Sequence, residues 1–498
     1  MPNSIRAKFV QAISYTALAS IVVRLCGIIL SILIARILKS SSLGLFTILQ
    51  STIGLYATFI CSALSLAATK MIAQYYINDP NKAGRIIALL VVSLSLALVS
   101  GVAIYWFTLP LLANKIYQIN ELMLLLQVST IWLVFFSINL LLESVLMGLQ
   151  SFKQIMIIQS VYSVLNIPLV CVALIFGNAK IVLGLVFAGT LTSTIQFFLL
   201  LLVTFAEMKK YLIVVSFQNL QGLIKEVLFE FSFPAFLGKI FEQPLSWISI
   251  FLLVKLSGDL SSVGGLTVIS NVRTWILYFP ILFSSVMLPI FTDIFHTRSK
   301  ESFQKTLIFN QRFLWLSTLP ILVFMIIVIH PLINKIFGAS YENYWRACAV
   351  LLAASVLIPI NEVNDKALIS MNKMWTSLAF RTIYMVLFVL GLLYFVPRNG
   401  LLGYVIAWNI SYFVYVMLQT IWLRSVIYEP SVYALTFFSI IFLLTAMYIP
   451  RFIFSANLLF ILGFTLFIIV LLIEWFLIIT AEEKLIICNE LKILTKLR

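Results

Sequence analysis

The chain has 498 residues, 62% of them hydrophobic and only 10% charged, with a mean hydropathy of +1.10 and a formal net charge of +15. A soluble protein carries roughly a quarter charged residues, so the composition excludes a soluble globular domain. Long apolar runs over the whole length predict an all-α polytopic membrane protein with no separate soluble domain.

A crossing needs about 20 mainly apolar residues. By that measure about fourteen spans are predicted, at 10–38, 44–69, 86–111, 122–147, 154–176, 181–205, 229–256, 264–291, 308–334, 344–371, 375–396, 401–423, 432–449 and 456–480. The first is too long for a signal-peptide core and reads as a retained span. Spans one to six form a first lobe (1–206). The stretch 207–228 mixes Lys, Gln and Glu with apolar residues at helical spacing, as a cytoplasmic interfacial helix does; a plain tether is equally compatible. Spans seven to twelve form a second lobe (229–425), spans thirteen and fourteen occupy 426–480, and a basic tail covers 481–498.

With the N-terminus inside, loops and tails on that side hold about twenty Lys and Arg, against about nine outside. Both termini are therefore expected in the cytoplasm. The net charge reads as a topology signal, not as nucleic-acid binding. Four of the five cysteines (Cys26, Cys61, Cys171, Cys348) fall in spans and Cys488 in the tail, and no pair has C-x-x-C spacing. No disulfide, structural zinc or other metal site is expected, and the two histidines, His296 and His330, are too scattered to ligate one.

The chain repeats itself. SSLGLFTI at Ser41–Ile48 is echoed by SSVGGLTV at Ser261–Val268, 220 positions later. Lys153 and Lys373 stand at the same offset. LGLVFA at Leu183–Ala188 answers LGYVIA at Leu402–Ala407, and the basic loop at Lys82–Arg85 answers Arg298–Lys305. A repeat of six spans, an even number, makes both copies cross in the same direction about an axis along the membrane normal. That is the parallel-repeat plan of certain transporters, whose substrate site lies between the halves.

ARILKSSSLGLFTILQS from Ala35 resembles the first loop of the polysaccharide flippases. So does ESVLMGLQSFKQ at Glu143–Gln154, followed by a span with Asn166 and Pro168 near its middle. These flippases move O-antigen and capsule repeat units and belong to the multidrug/oligosaccharidyl-lipid/polysaccharide exporter superfamily. The chain departs from the family pattern at Lys39–Ser40, where Gly-Pro is usual. The resemblance implies two six-helix lobes with two additional C-terminal helices. It also implies an undecaprenyl-diphosphate-linked oligosaccharide as substrate, handled in the bacterial inner membrane among membrane lipids and other polysaccharide assembly proteins. A monomer is expected.

A charge at the bilayer centre costs roughly 2.5–3.5 kcal/mol on insertion scales, so it normally faces a cavity or a partner. Four basic residues lie inside spans: Arg24, Lys239, Arg273 and Arg381. Their functional reading is a cationic cavity for a diphosphate, with Arg giving bidentate bonds and Lys a point charge. Each also has a structural reading. Lys239 has Glu242 three residues on, Arg381 lies near enough to its span end to snorkel, and only Arg24, about fourteen residues from either end, has no acid within a turn. The candidates for a coupling ion, H+ or Na+, are Asp365, Glu362, Glu242 and Glu143. Glu362 has Lys366 as an i,i+4 partner, whereas Asp365 has none in its own stretch. Glu474 is a further acid within a span.

The parallel repeat points to a secondary transporter, and the resemblance implies that it flips a lipid-linked glycan, with no cofactor expected beyond the coupling ion. A lipid II flippase is the nearest alternative. A cation-coupled multidrug antiporter would use acids in the first lobe, and the first three spans contain no Asp or Glu. A glycan polymerase or ligase needs a long outer loop with catalytic residues. All predicted outer loops are short and no catalytic set is present, so the chain is expected not to be an enzyme.

Overall fold

A computed structural model describes residues 3–177, 180–218, 221–225, 242–285, 300–371, 373–423 and 456–474, with residues 227, 232, 291, 294 and 476 besides. Side chains are described from Ser20 onward. Nine helical segments among the described residues are long and apolar enough to cross a membrane. Predicted span thirteen and Lys239 lie outside the described residues, as does the side chain of Glu242. The chain divides into two compact units, Met1–Gly264 and Gly265–Arg498.

In the first unit, α1 (Asn3–Ile37), α2 (Ser40–Tyr75), α3 (Pro80–Pro110), α4 (Asn120–Gly148), α5 (Phe152–Phe176) and α6 (Ile181–Lys210) match the six predicted spans in order. Helices dominate because backbone N–H and C=O groups in hydrocarbon have no water to bond and must be satisfied within the segment. The start of α3 has a local cause. At α3, Pro80 follows Asp79, whose carboxylate accepts from the Lys82 amide at 2.9 Å. Helix α2 is the central post, burying Leu45, Ile48, Leu49, Ala57, Cys61 and Ile72 while packing on α3 and α4. Close helix approach rests on small residues. A Cβ at Gly148 would press on Ile72 and the Ala68 carbonyl, and one at Gly189 on the Trp132 ring.

The seventh predicted span is described as α7 (Glu242–Ser257). Division by sequence places this stretch in the second lobe, yet its contacts are with the first unit. The Trp247 indole donates to Thr52 on α2 at 3.2 Å, and the Trp247 and Phe251 rings meet Tyr117 edge-on. The stretch 207–228 lies inside the first unit, and its described residues do not form one interfacial helix. After Lys210 the chain turns at Leu212 (φ 55°) and runs without regular structure over 213–217, and a short helix follows at Gln221–Ile224. The Val214 carbonyl lies where a Cβ on Gly84 would sit, so the segment packs on α3 through glycine.

The start of the second echo, up to Gly264, packs on the first echo. A Cβ on Gly44 would strike the Leu260 carbonyl, and one on Gly264, its counterpart 220 positions later, would strike the Ser40 carbonyl. Glycine here is a requirement of backbone approach.

Helix α8 (Ser261–Ser285) continues into the second unit, which contains α9 (Lys300–Phe337), α10 (Trp345–Ala354), α11 (Leu357–Ser370), α12 (Met374–Leu423) and α13 (Ala456–Ile473). Predicted spans eleven and twelve form the two arms of α12, which breaks at Gly400 (φ 53°, ψ −129°), three residues after Pro397. Helix α13 packs on α9, with Phe460 against Phe324 and Gly463 against Phe324 and Val328.

Candidate functional site

The predicted charges have different surroundings. Arg24 is exposed on α1 of the first unit, beside the exposed apolar side chains of Ile21, Val22 and Leu25. In the second unit Arg273 is half-buried on α8, its guanidinium 4.7 Å from the centre of the Trp408 ring. Tyr404, Trp408, Tyr412 and Tyr415 recur at helical spacing on the second arm of α12. Trp408 and Tyr412 stack at 4.6 Å, and Tyr384 from the first arm meets Tyr412 at 5.7 Å and Tyr415 at 5.5 Å. The groups acting on Arg273 are Tyr404, Tyr384, Tyr412 and Cys348, and no carboxylate within ion-pair reach is found among the described residues. Aromatic faces attract a cation without cancelling its charge. This unit therefore holds a net positive group within its apolar helices.

Asp365 and Arg381, predicted for different roles, are brought together. Arg381 donates from Nη2 to Asp365 Oδ2 at 3.2 Å. The carboxylate also accepts from Ser377 Oγ and Gln419 Nε2, each at 2.7 Å, and from the Tyr415 hydroxyl at 3.2 Å. Asp365 thus has the partner its own stretch lacks, supplied from sixteen positions along the chain. Nearby, Gln311 donates to Asn364, which donates to Thr420. Glu362 takes Lys366 at 3.1 Å, as the i,i+4 spacing predicts.

The first unit has its own buried acid. Glu143 on α4 accepts from Gln196 Nε2 on α6 at 2.9 Å and from the Gln159 side chain on α5. Asn139, one turn earlier on α4, donates from Nδ2 to the Ser193 carbonyl at 2.9 Å. Its Oδ1 is buried without a partner among the described residues. Glu474, past the end of α13, is 2% exposed, and neither of its oxygens has a hydrogen-bond partner among the described residues.

Sequence reasoning missed the aromatic surroundings of Arg273 and the neutral partners of both acids. The spacing 404, 408, 412, 415 carries a signal for the first. Nothing local signals the second, because the partners come from other helices.

No curated protein matches the sequence significantly. Solved structures give the fold. The lipid II flippase MurJ in an inward closed conformation aligns with a TM-score of 0.73 at 16% identity, covering 93% of this chain and 98% of that one. An inward-facing multidrug resistance transporter of the MATE family, in the MOP superfamily, aligns at 0.67 and 16% identity, covering 83% and 97%. A MOP-superfamily transporter from Pyrococcus furiosus, for which a reversed polarity of the binding pocket is described, aligns at 0.55 and 17% identity, covering 83% and 92%. The fold is one shared with multi-pass membrane transporters. Residues 9–295, more than half of the chain, match the polysaccharide biosynthesis protein family, and the chain belongs to that family.

Proposed function

We propose that the protein flips an undecaprenyl-diphosphate-linked oligosaccharide repeat unit across the bacterial inner membrane by alternating access, with both termini in the cytoplasm. The observation that carries this reading is Arg273, a cation held by aromatic rings, with no acid facing it among the described residues. A diphosphate sheds water on entering an apolar cleft, and a fixed guanidinium offers it charge and two parallel hydrogen bonds. Arg24 supplies a second guanidinium from the first unit, and Lys239 a further point charge. Arg381 is engaged by Asp365 and serves the substrate only if that pair opens. A gradient of H+ or Na+ drives transport through one of the acids Glu143, Asp365, Glu362 or Glu242. The protein works as a monomer beside other polysaccharide assembly proteins.

Lipid II flipping is the second reading, favoured by the coverage of the MurJ structure. The antiporter reading has less support, because the first three spans contain no acid. Deleting the gene and identifying the lipid-linked oligosaccharide that accumulates on the cytoplasmic leaflet tests all three. Accumulation of a glycan repeat unit supports the proposal. Accumulated lipid II moves the assignment to the second reading, and altered drug tolerance without accumulation moves it to the antiporter.

A further inference from the structure

The hydrogen-bond networks of Glu143 and Asp365 are the same network written twice. Moving 222 positions along the chain carries Asn139 to Asn361, Glu143 to Asp365, Gln159 to Arg381 and Tyr162 to Tyr384, and 223 carry Gln196 to Gln419. These offsets differ by two to four residues from the 219 and 220 of the echoed motifs. In both units the acid accepts from the glutamine of the last helix of its repeat, Gln196 Nε2 at 2.9 Å and Gln419 Nε2 at 2.7 Å. Both asparagines sit one turn before the acid, on the same helical face, buried at 3% and 6% exposure. In both, Oδ1 has no hydrogen-bond partner among the described residues. A carboxylate and an unpartnered amide oxygen on one face form an oxygen set suited to a hard monovalent cation.

The copies differ in one residue of consequence. Where the second unit places the guanidinium of Arg381 against its acid, the first places the neutral amide of Gln159. The groups facing Glu143 from the packed helices are Gln159 and Tyr162 on α5 and Gln196 on α6, all uncharged. Of the other charged residues on α2, α3, α5 and α6, Glu207 is engaged by Ser151, Gln154 and Lys210, Lys70, Lys153 and Lys209 are exposed, and Lys82 and Arg85 lie in the first turns of α3. One acid carries its own counter-charge, and the other has no cation acting on it among the described residues. A buried carboxylate without a counter-charge is costly in an apolar span.

We infer that Glu143 and Asn139 form an exchangeable monovalent-cation site, taking a proton or Na+, and that Asp365–Arg381 is its permanently occupied twin. Within the transport reading this selects Glu143 from the four candidate acids as the coupling residue. The site itself requires no assumption about the substrate.

The test uses the purified full-length protein with no glycan present, so failure of the glycan assignment does not affect it. Melting midpoints are followed by tryptophan fluorescence at constant ionic strength, with NaCl replacing choline chloride, and separately along a pH series in choline. A ligand that binds only the folded protein raises the midpoint, here by about 3 °C or more at saturation. A rise with Na+ identifies sodium; a rise only as the pH falls identifies the proton. Glu143→Gln should abolish the rise and Asp365→Asn should retain it. Gln159→Arg supplies the missing guanidinium and should also abolish the rise while the protein remains folded, which separates loss of a site from loss of structure. The inference is overturned if the wild type shows neither rise, or if Gln159→Arg or Glu143→Gln keeps it in full.

Discussion

Breaking the Asp365–Arg381 pair probes the second unit, and the two single substitutions should not be equivalent. The Asp365 side chain is 12% exposed and that of Arg381 38%. Arg381→Met therefore strands the less accessible charge, leaving it the neutral donors of Ser377, Gln419 and Tyr415. Removing one partner of a fully buried pair costs roughly 3–5 kcal/mol. The remaining donors and the exposure of Arg381 reduce this to about 2 kcal/mol. Asp365→Asn leaves a guanidinium that water can reach and should cost about 1 kcal/mol. The double variant removes both charges and should be more stable than Arg381→Met alone. The assay is a double-mutant cycle of melting midpoints on purified full-length protein, read by size exclusion after heating. Equal single effects that simply add in the double variant would show that the two charges do not interact, and would remove the basis for treating this acid as permanently compensated.

Arg273→Ala should reduce glycan export about tenfold or more, whereas Arg273→Lys keeps the charge, loses the planar fork and leaves partial activity. Trp408→Leu should lower stability by about 1–2 kcal/mol through loss of the ring under that guanidinium, measured as a lower midpoint. Arg24→Ala should nearly abolish export at normal expression, with Arg24→Lys intermediate; normal export by the Ala variant assigns Arg24 a structural role. Gly44→Ala and Gly264→Ala each drive a methyl into a backbone carbonyl and should lower the midpoint, while Gly54→Ala, with open space around it, should not. Single cysteines at positions 209 and 298 should be protected from an impermeant label applied outside intact cells, and those at 178 and 398 should react; the opposite pattern reverses the orientation.

The fold was legible to the extent that hydrophobic length controls it. Six spans of the first unit fall where apolar runs place them, because each helix satisfies its own backbone and needs nothing from the rest of the chain. The division between units was not legible in the same way. Trp247 and Phe251 look in sequence like any aromatic residues of a seventh span, and only the ring of Tyr117 and the hydroxyl of Thr52 show that their helix packs in the first unit. The same limit governed the site. Glu362–Lys366 could be read directly, since i,i+4 partners share a helix face. Asp365 could not, because its guanidinium comes from the first arm of α12 and its glutamine from the second. The 220-residue echo nonetheless contained the missing information. Gln159 and Arg381 occupy corresponding places in the two copies, but no rule of sequence marks that exchange as important until hydrogen bonds show that both face a carboxylate. In the assignment we propose, the two copies differ at a position outside any motif, where one has an internal cation and the other would take one from solution.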